Sequence, residues 1–314
     1  MTPAGVLVMS HGTPRSLDEL PAFYTAIRRG NPPPPELLAD LARRYLAIGG
    51  TSPLNERTAA QVEGIRRALE RRAPGRCTVA AGARFAAPSI EDAVATLGRA
   101  GVDRIVGIVL TPHFSAASVG EYARRAREAA AGLGPDEGGP REVTVVEHWH
   151  EAPGFAGLLA GRVSDAVASL PAGVRPDAAV VFSAHSIPAR LVEAGDPYPQ
   201  QVEASARAVA ELASLRRWSV AWQSAGRTAD AWLGPDVRDV IASLPATGAT
   251  AVVVCPIGFV SDHLEVLYDV DVEAGAAARR AGLAFARTSS LNDDPAFCDV
   301  LAGAVLEALA TAPA

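Results

Sequence analysis

The feature that most constrains this chain is its alternation of short, apolar, β-rich runs with longer segments of helical periodicity. Such alternation points to βαβ units on parallel sheets. A strand covered on both faces reads as a continuous apolar run, and its parallel neighbour is reached only through a crossover, usually a helix. The runs fall at Gly5–Met9, Cys77–Arg84, Arg104–Thr111, Val143–Trp149, Ala178–Ala184, Trp218–Trp222, Ala251–Ile257 and Ala284–Ser289. Helical spacing marks Pro35–Ala47, Thr58–Ala73, Ile90–Ala100, Val119–Ala131, Tyr198–Leu215, Leu264–Ala281 and Pro295–Ala310. Eight strands are many for one small sheet. A polar, Gly/Pro-rich stretch, Gly132–Arg141, reads as an exposed turn before the fourth run, and the chain divides near residues 150 to 153 into two four-stranded α/β structures.

A net charge of −6 argues against a nucleic-acid partner, since phosphate binding relies on clustered Lys and Arg. No basic, apolar leader precedes the first run, and no stretch of about 18 uninterrupted apolar residues follows it. The expectation is a cytoplasmic chain with no membrane segment. Cys77, Cys255 and Cys298 lie far apart, which suits neither a disulfide framework nor a CxxC metal or cluster site, and they read as small buried hydrophobes.

In open α/β sheets ligands sit beyond the carboxyl ends of the strands. There the chain places Ser10-His11-Gly12-Thr13-Pro14, Arg84, Thr111-Pro112-His113-Phe114-Ser115, His185-Ser186-Ile187-Pro188, Gln223-Ser224 and Gly258-Phe259-Val260-Ser261-Asp262-His263. Four of the six His residues fall in this set, and imidazole is both a common metal ligand and a proton carrier near neutral pH. Taken singly, each is read at least as readily as a hydrogen-bonded structural residue. Glu265, Asp269 and Glu273 then follow at i, i+4 and i+8 of an expected helix, with Asp262 and Asp271 beside them. Like charges at that spacing repel by about 0.2 to 0.5 kcal/mol per pair, which a cation passing along them would offset. An acidic first turn favoured by the helix dipole accounts for Asp262 and Glu265 but not for Glu273. Both readings stay open. No G-x-S-x-G elbow, H-E-x-x-H pair, Walker A loop or post-strand G-x-G-x-x-G occurs, so nucleophilic and nucleotide-dependent chemistry is disfavoured.

The segments Gly5-Val-Leu-Val-Met-Ser-His-Gly-Thr-Pro14, Ile27-Arg-Arg-Gly30, Ile48-Gly-Gly-Thr-Ser-Pro-Leu-Asn55 and Ser183-Ala-His-Ser-Ile-Pro188 resemble signature stretches of ferrochelatases. So do Gly195-Asp-Pro-Tyr-Pro199, Ala221-Trp-Gln-Ser224, Trp232-Leu-Gly-Pro-Asp236 and Gly258-Phe-Val-Ser-Asp-His-Leu-Glu-Val-Leu-Tyr-Asp269. The resemblance runs from the first strand to the last helix. It is nearest to the soluble enzymes of Gram-positive bacteria, which act on coproporphyrin III. It implies two similar Rossmann-like lobes, each a four-stranded parallel sheet flanked by helices, with the active-site cleft between them. The lobes would span residues 1–150 and 151–290, and a terminal helix within 291–314 would pack back across them.

By the same resemblance His185 and Glu265 are the catalytic pair at the metal, and Asp269, Asp271 and Glu273 continue the metal path. His11 is a candidate further ligand. His11, Arg28, Arg29, Ser52, Arg84, Ser224 and Trp232 match positions that contact the porphyrin. Two departures bear on specificity, since the family commonly has Tyr, or another residue, where this chain has His11 and Lys where it has Arg84. The clustered cysteines that hold a [2Fe-2S] cluster in many actinobacterial members are absent, so no resident cofactor is expected. The resulting expectation is a monomeric chelatase that takes porphyrin and Fe2+ as substrates. A chelatase for another metal or tetrapyrrole, or a non-catalytic porphyrin or haem carrier, is the alternative.

Overall fold

The computed structural model describes residues 3–134, 139–140, 142–228 and 230–311; of the turn expected at Gly132–Arg141, residues 135–138 and 141 lie outside them. The chain forms two compact units. One comprises Met1–Pro112, Ala116–Ala152 and Asn292–Ala314, and the other His113–Ser115 with Pro153–Leu291. The excursion His113–Ser115 has no counterpart in the sequence pattern.

In the N-terminal unit, β1 (Ala4–Ser10), β2 (Cys77–Ala83), β3 (Arg104–Val109) and β4 (Glu142–Val146) form one parallel sheet in the order β2-β1-β3-β4. Val6 stands opposite Val79 on one side and Val106 on the other. Every residue of β1 is buried, as a central strand covered on both faces requires. The helices are α1 (Leu20–Ile27), α2 (Pro35–Ala47), α3 (Leu54–Arg72), α4 (Ile90–Arg99), α5 (Val119–Gly132) and, from the far end of the chain, α11 (Pro295–Thr311). A reciprocal cap between Ser89 and Asp92 starts α4. The terminal helix α11, expected to lie across both lobes, is part of the N-terminal unit. There it packs on α3, with Cys298 against Gly64 and Asp299 accepting from Arg71 and Arg72 at 2.9 Å each.

The C-terminal unit repeats the plan. Its strands β5 (Ala178–His185), β6 (Trp218–Gln223), β7 (Ala251–Cys255) and β8 (Ala284–Arg287) are parallel, in the order β6-β5-β7-β8. Its helices are α6 (Phe155–Ser169), α7 (Ala189–Glu193), α8 (Tyr198–Leu212), α9 (Val237–Ser243) and α10 (Gly275–Arg280). In each sheet the second and third strands lie on opposite sides of the first, so the crevice for a ligand opens beyond the carboxyl ends of β1 and β3, and of β5 and β7.

The segment expected as a single α-helix, Leu264–Ala281, is a π-helix over Glu265–Ala274 that becomes α10. Its backbone bonds run i→i+5, a geometry that is rare and concentrated at functional sites. No helix among the described residues is long and apolar enough to cross a membrane.

Candidate active site

The carboxyl end of β5 delivers His185. Its Nδ1–H donates to the Ser186 carbonyl at 2.5 Å, which leaves Nε2 to face Glu265 Oε1 at 3.5 Å. Glu265 opens the π-helix, reached from β7 through Gly258. A Cβ on Gly258 would stand 2.8 Å from Ala184 Cβ and 3.0 Å from Ala184 Cα, so only glycine lets this loop pass the end of β5. The other carboxylate oxygen, Oε2, lies 3.7 Å from Nε2 of His263, whose Nδ1–H donates to the Ser261 carbonyl at 2.9 Å. Glu265 therefore sits between two imidazoles, each oriented through its second nitrogen. Gln223, at the end of β6, ties the site to the sheet: its amide donates to the Glu265 main-chain carbonyl at 3.1 Å, and its oxygen accepts from Ser183 Oγ at 2.7 Å.

These contacts set the charges. Burial works to lower the proton affinity of His185. The Glu265 charge and hydrogen bond, the Ser186 carbonyl and the Asp269 charge outweigh it, and its pKa rises from 6.5 to about 9. Burial works to raise the Glu265 pKa, but His185 and His263 hold it well below the usual carboxylate range. At neutral pH the pair is an imidazolium facing a carboxylate. Such a pair can exchange its proton for a divalent cation, or hand the proton on.

The acidic series along the π-helix is not a bare ladder. Asp269, 5% exposed, accepts from the Ser224 hydroxyl, and Ser224 holds a left-handed φ of 59° at the end of β6. Asp271 is paired with Arg287, whose Nε donates at 2.6 Å, and Glu273 lies 3.5 Å from Arg238 Nη1. The repulsion that a passing cation was to offset is thus met at Asp271 and Glu273 by arginines of the chain itself. Trp232 lies with its ring centroid 6.4 Å from that of His185, and its indole N–H donates to Thr228 at 3.0 Å. His113, another strand-end imidazole, is 1% exposed and hydrogen-bonded to Ser205 at 2.9 Å, as a structural histidine.

In the N-terminal unit, His11 follows β1 as an exposed ring 4.8 Å from Phe85 and 6.1 Å from Phe23, with Nδ1–H donating to the Gly12 carbonyl at 2.9 Å. Gly12 has φ 79°, and a Cβ there would meet Ala86 at 2.6 Å. The Arg84 guanidinium stacks over Phe85 at 4.9 Å and Tyr122 at 5.7 Å, so His11 and Arg84 share one aromatic group. Arg28 stacks over Tyr24 at 6.0 Å, and Arg29 has a φ of 58° that few non-glycine residues adopt. Neither guanidinium forms an ion pair among the described residues. Ser52, 9% exposed, receives the Leu54 N–H at 3.4 Å near the start of α3.

The structure brings together His185, Glu265, Asp269, Ser224 and Trp232. It adds His263 and Gln223, which the sequence marked only as strand-end residues. The available signal for His263 was its place two residues before Glu265.

A family model described as ferrochelatase matches residues 3–309 of the chain. A coproporphyrin III ferrochelatase of Bacillus subtilis is 43% identical over 308 residues, covering 97% of each chain. A ferrochelatase of Herpetosiphon aurantiacus is 40% identical over 296 residues, 94% of this chain and 96% of that one. Among solved structures, the sirohydrochlorin chelatase SirB from Bacillus subtilis subspecies spizizenii, in complex with cobalt, superposes with a TM-score of 0.60. It covers 97% of this chain and 94% of its own at 12% identity, a likeness of fold alone.

Proposed function

The chain belongs to the ferrochelatase family, and from that membership we propose that it inserts Fe2+ into coproporphyrin III with His185 and Glu265 at the metal. It is a lyase of the metal-chelatase type, acting in haem biosynthesis. The observation that carries the residue assignment is the imidazole of His185 facing the Glu265 carboxylate at 3.5 Å, beyond the strand ends where the fold opens its crevice.

Metallation brings in Fe2+ and releases two pyrrole protons, so the site needs a ligand for the metal and bases for the protons. Nε2 of His185 becomes a ligand once its proton has left, and nitrogen with carboxylate oxygen suits Fe2+ without the tight grip of thiolates. Glu265 stays ionised in the resting protein and holds a divalent ion before transfer. Asp269, hydrogen-bonded to Ser224, receives protons from the centre. Asp271 and Glu273 take part only by giving up Arg287 and Arg238, and we assign them to the entry path rather than to the centre.

Porphyrin recognition falls to Arg28 and Arg29, whose guanidinium groups form no ion pair among the described residues and suit propionates. His11, Arg84, Ser52, Ser224 and Trp232 meet the macrocycle and its rim. Coproporphyrin III is favoured because relatives at 42 to 43% identity carry that substrate in their names. We place the activity in the cytoplasm, in a monomer without a resident cluster; light scattering near 32.5 kDa tests the monomer. The decisive assay presents Fe2+ anaerobically to the purified protein with coproporphyrin III and protoporphyrin IX side by side. Faster metallation of coproporphyrin III is expected, and equal kinetics would refute the preference.

A further inference from the structure

Besides the structural His113, two of the six histidines take no part in the chemistry above, and they stand together. His148, His150 and Glu151 follow β4 in the N-terminal unit. Trp149 between them is 2% exposed. Its main-chain N–H donates to the Pro112 carbonyl at 3.0 Å, and its indole N–H donates to the Val109 carbonyl, at the end of β3, at 2.9 Å. Its ring packs against Phe297 of α11 at 5.7 Å. Residues two apart share a side as a chain leaves a strand. With Trp149 pinned inward, the rings of His148 and His150 lie side by side, with centroids 5.1 Å apart. One ligand atom from each of His148, His150 and Glu151 lies within 4.8 Å of the others.

We propose that His148, His150 and Glu151 form a second divalent-metal site, of the Zn2+ type, with water completing the coordination. Two imidazole nitrogens and one carboxylate oxygen are a donor set for Zn2+ and its borderline neighbours, whereas Mg2+ and Ca2+ take oxygen almost alone. Tetrahedral ligands about 2.0 to 2.1 Å from Zn2+ stand roughly 3.4 Å from one another. Closing from at most 4.8 Å therefore needs only a small rotation, which the exposed His148 and Glu151 side chains can make around the buried His150. Burial lowers the His150 pKa, opposed by the Glu151 charge and aided by His148. Trp149 supplies the rigidity that keeps the two rings paired. The site is structural in kind: a metal there fixes the chain between β4 and Pro153, where the C-terminal unit resumes.

The test uses the full chain carrying His185→Ala and Glu265→Gln, which removes the substrate-metal pair and leaves the cluster. Equilibrium dialysis with Zn2+ alone should find one tightly bound equivalent, and Co2+ in its place should give visible d–d bands. Adding His148→Ala or Glu151→Gln, both at exposed positions, should weaken Zn2+ at least roughly tenfold, because even losing a ligand's hydrogen-bond partner costs about 10- to 100-fold. Saturating Zn2+ should raise Tm in the background protein and not in the His148→Ala protein. A background protein that binds no Zn2+ at micromolar concentrations, or binds it equally with and without His148 and Glu151, would overturn the proposal.

Discussion

Replacing Glu265 by Gln keeps the shape of the side chain and removes the charge that faces His185 Nε2 at 3.5 Å and His263 Nε2 at 3.7 Å. Two unit charges 3.5 Å apart attract by roughly 5 kcal/mol at an effective dielectric of about 20. That figure is an upper bound here, because the side chains of His185 and Glu265 are 37% and 31% exposed and water screens them. What remains is about 1.5 to 3 kcal/mol, the range of a charge-assisted hydrogen bond, or roughly one to two pH units. In the Gln variant the His185 midpoint should therefore fall from about 9 into the range of roughly 7 to 8. Titration of the imidazole Cε1–H signal by NMR, assigned with His185→Ala, reads this directly. Fe2+ insertion by the same variant should drop at least roughly 100-fold while porphyrin binding, followed by fluorescence quenching, changes little. A midpoint that stays near 9 would show that Glu265 does not hold the proton, and near-wild-type turnover would remove it from the mechanism.

The same pair sets a pH window for stability. The raised His185 pKa means that its contribution is complete below 6.5 and lost as pH rises through about 9. Glu265 contributes above its ordinary 4.5 and ceases to do so as pH falls through its lowered native value. The Tm difference between wild type and Glu265→Gln should thus be largest between these limits and shrink at pH 10; a difference that grows there would contradict the assignment. Arg28→Ala should weaken coproporphyrin III about tenfold or more, read by fluorescence quenching, if its guanidinium holds a propionate. His11→Tyr should shift the ratio of Zn2+ to Fe2+ insertion more than porphyrin affinity if His11 is a ligand, and an unchanged ratio would leave it as a wall beside Phe85. Gly258→Ala should destabilise the chain by about 1 to 3 kcal/mol in urea melts, because its Cβ strikes Ala184 just ahead of His185, and unchanged stability would refute that close approach.

The central strands β1, β3, β5 and β7 were legible because a strand buried on both faces must be apolar throughout, and that requirement is local; the edge strands β2, β4, β6 and β8 are only partly buried but kept enough apolar residues to be read. The ends were less so. The run Ala251–Ile257 outlasts β7, which stops at Cys255, since Pro256 and Ile257 are buried without pairing and apolar character reports burial rather than ladder hydrogen bonds. Helix α6 was not singled out because Gly157 and Gly161 interrupt it, yet Phe155, Leu159, Val163 and Ala166 give it a buried face. The π-helix could not be foreseen, because its ten residues make fewer than three turns of either helix, too short a run for apolar spacing to separate the two. His185 stood out by its place at a strand end and Glu265 by the spacing of the carboxylates that follow it, but only the resemblance named them as a pair. Their meeting depends on the order β6-β5-β7, which sets residues 185, 223 and 265 side by side although some 40 positions separate each from the next. The partners of Asp271 and Glu273 likewise come from β8 and α9, and the pairing of His148 with His150 depends on Trp149 reaching β3 and α11. Periodicity records what each segment buries. Which segments become neighbours is decided by non-local sheet order and packing, and the charges, proton positions and candidate metal sites follow from that.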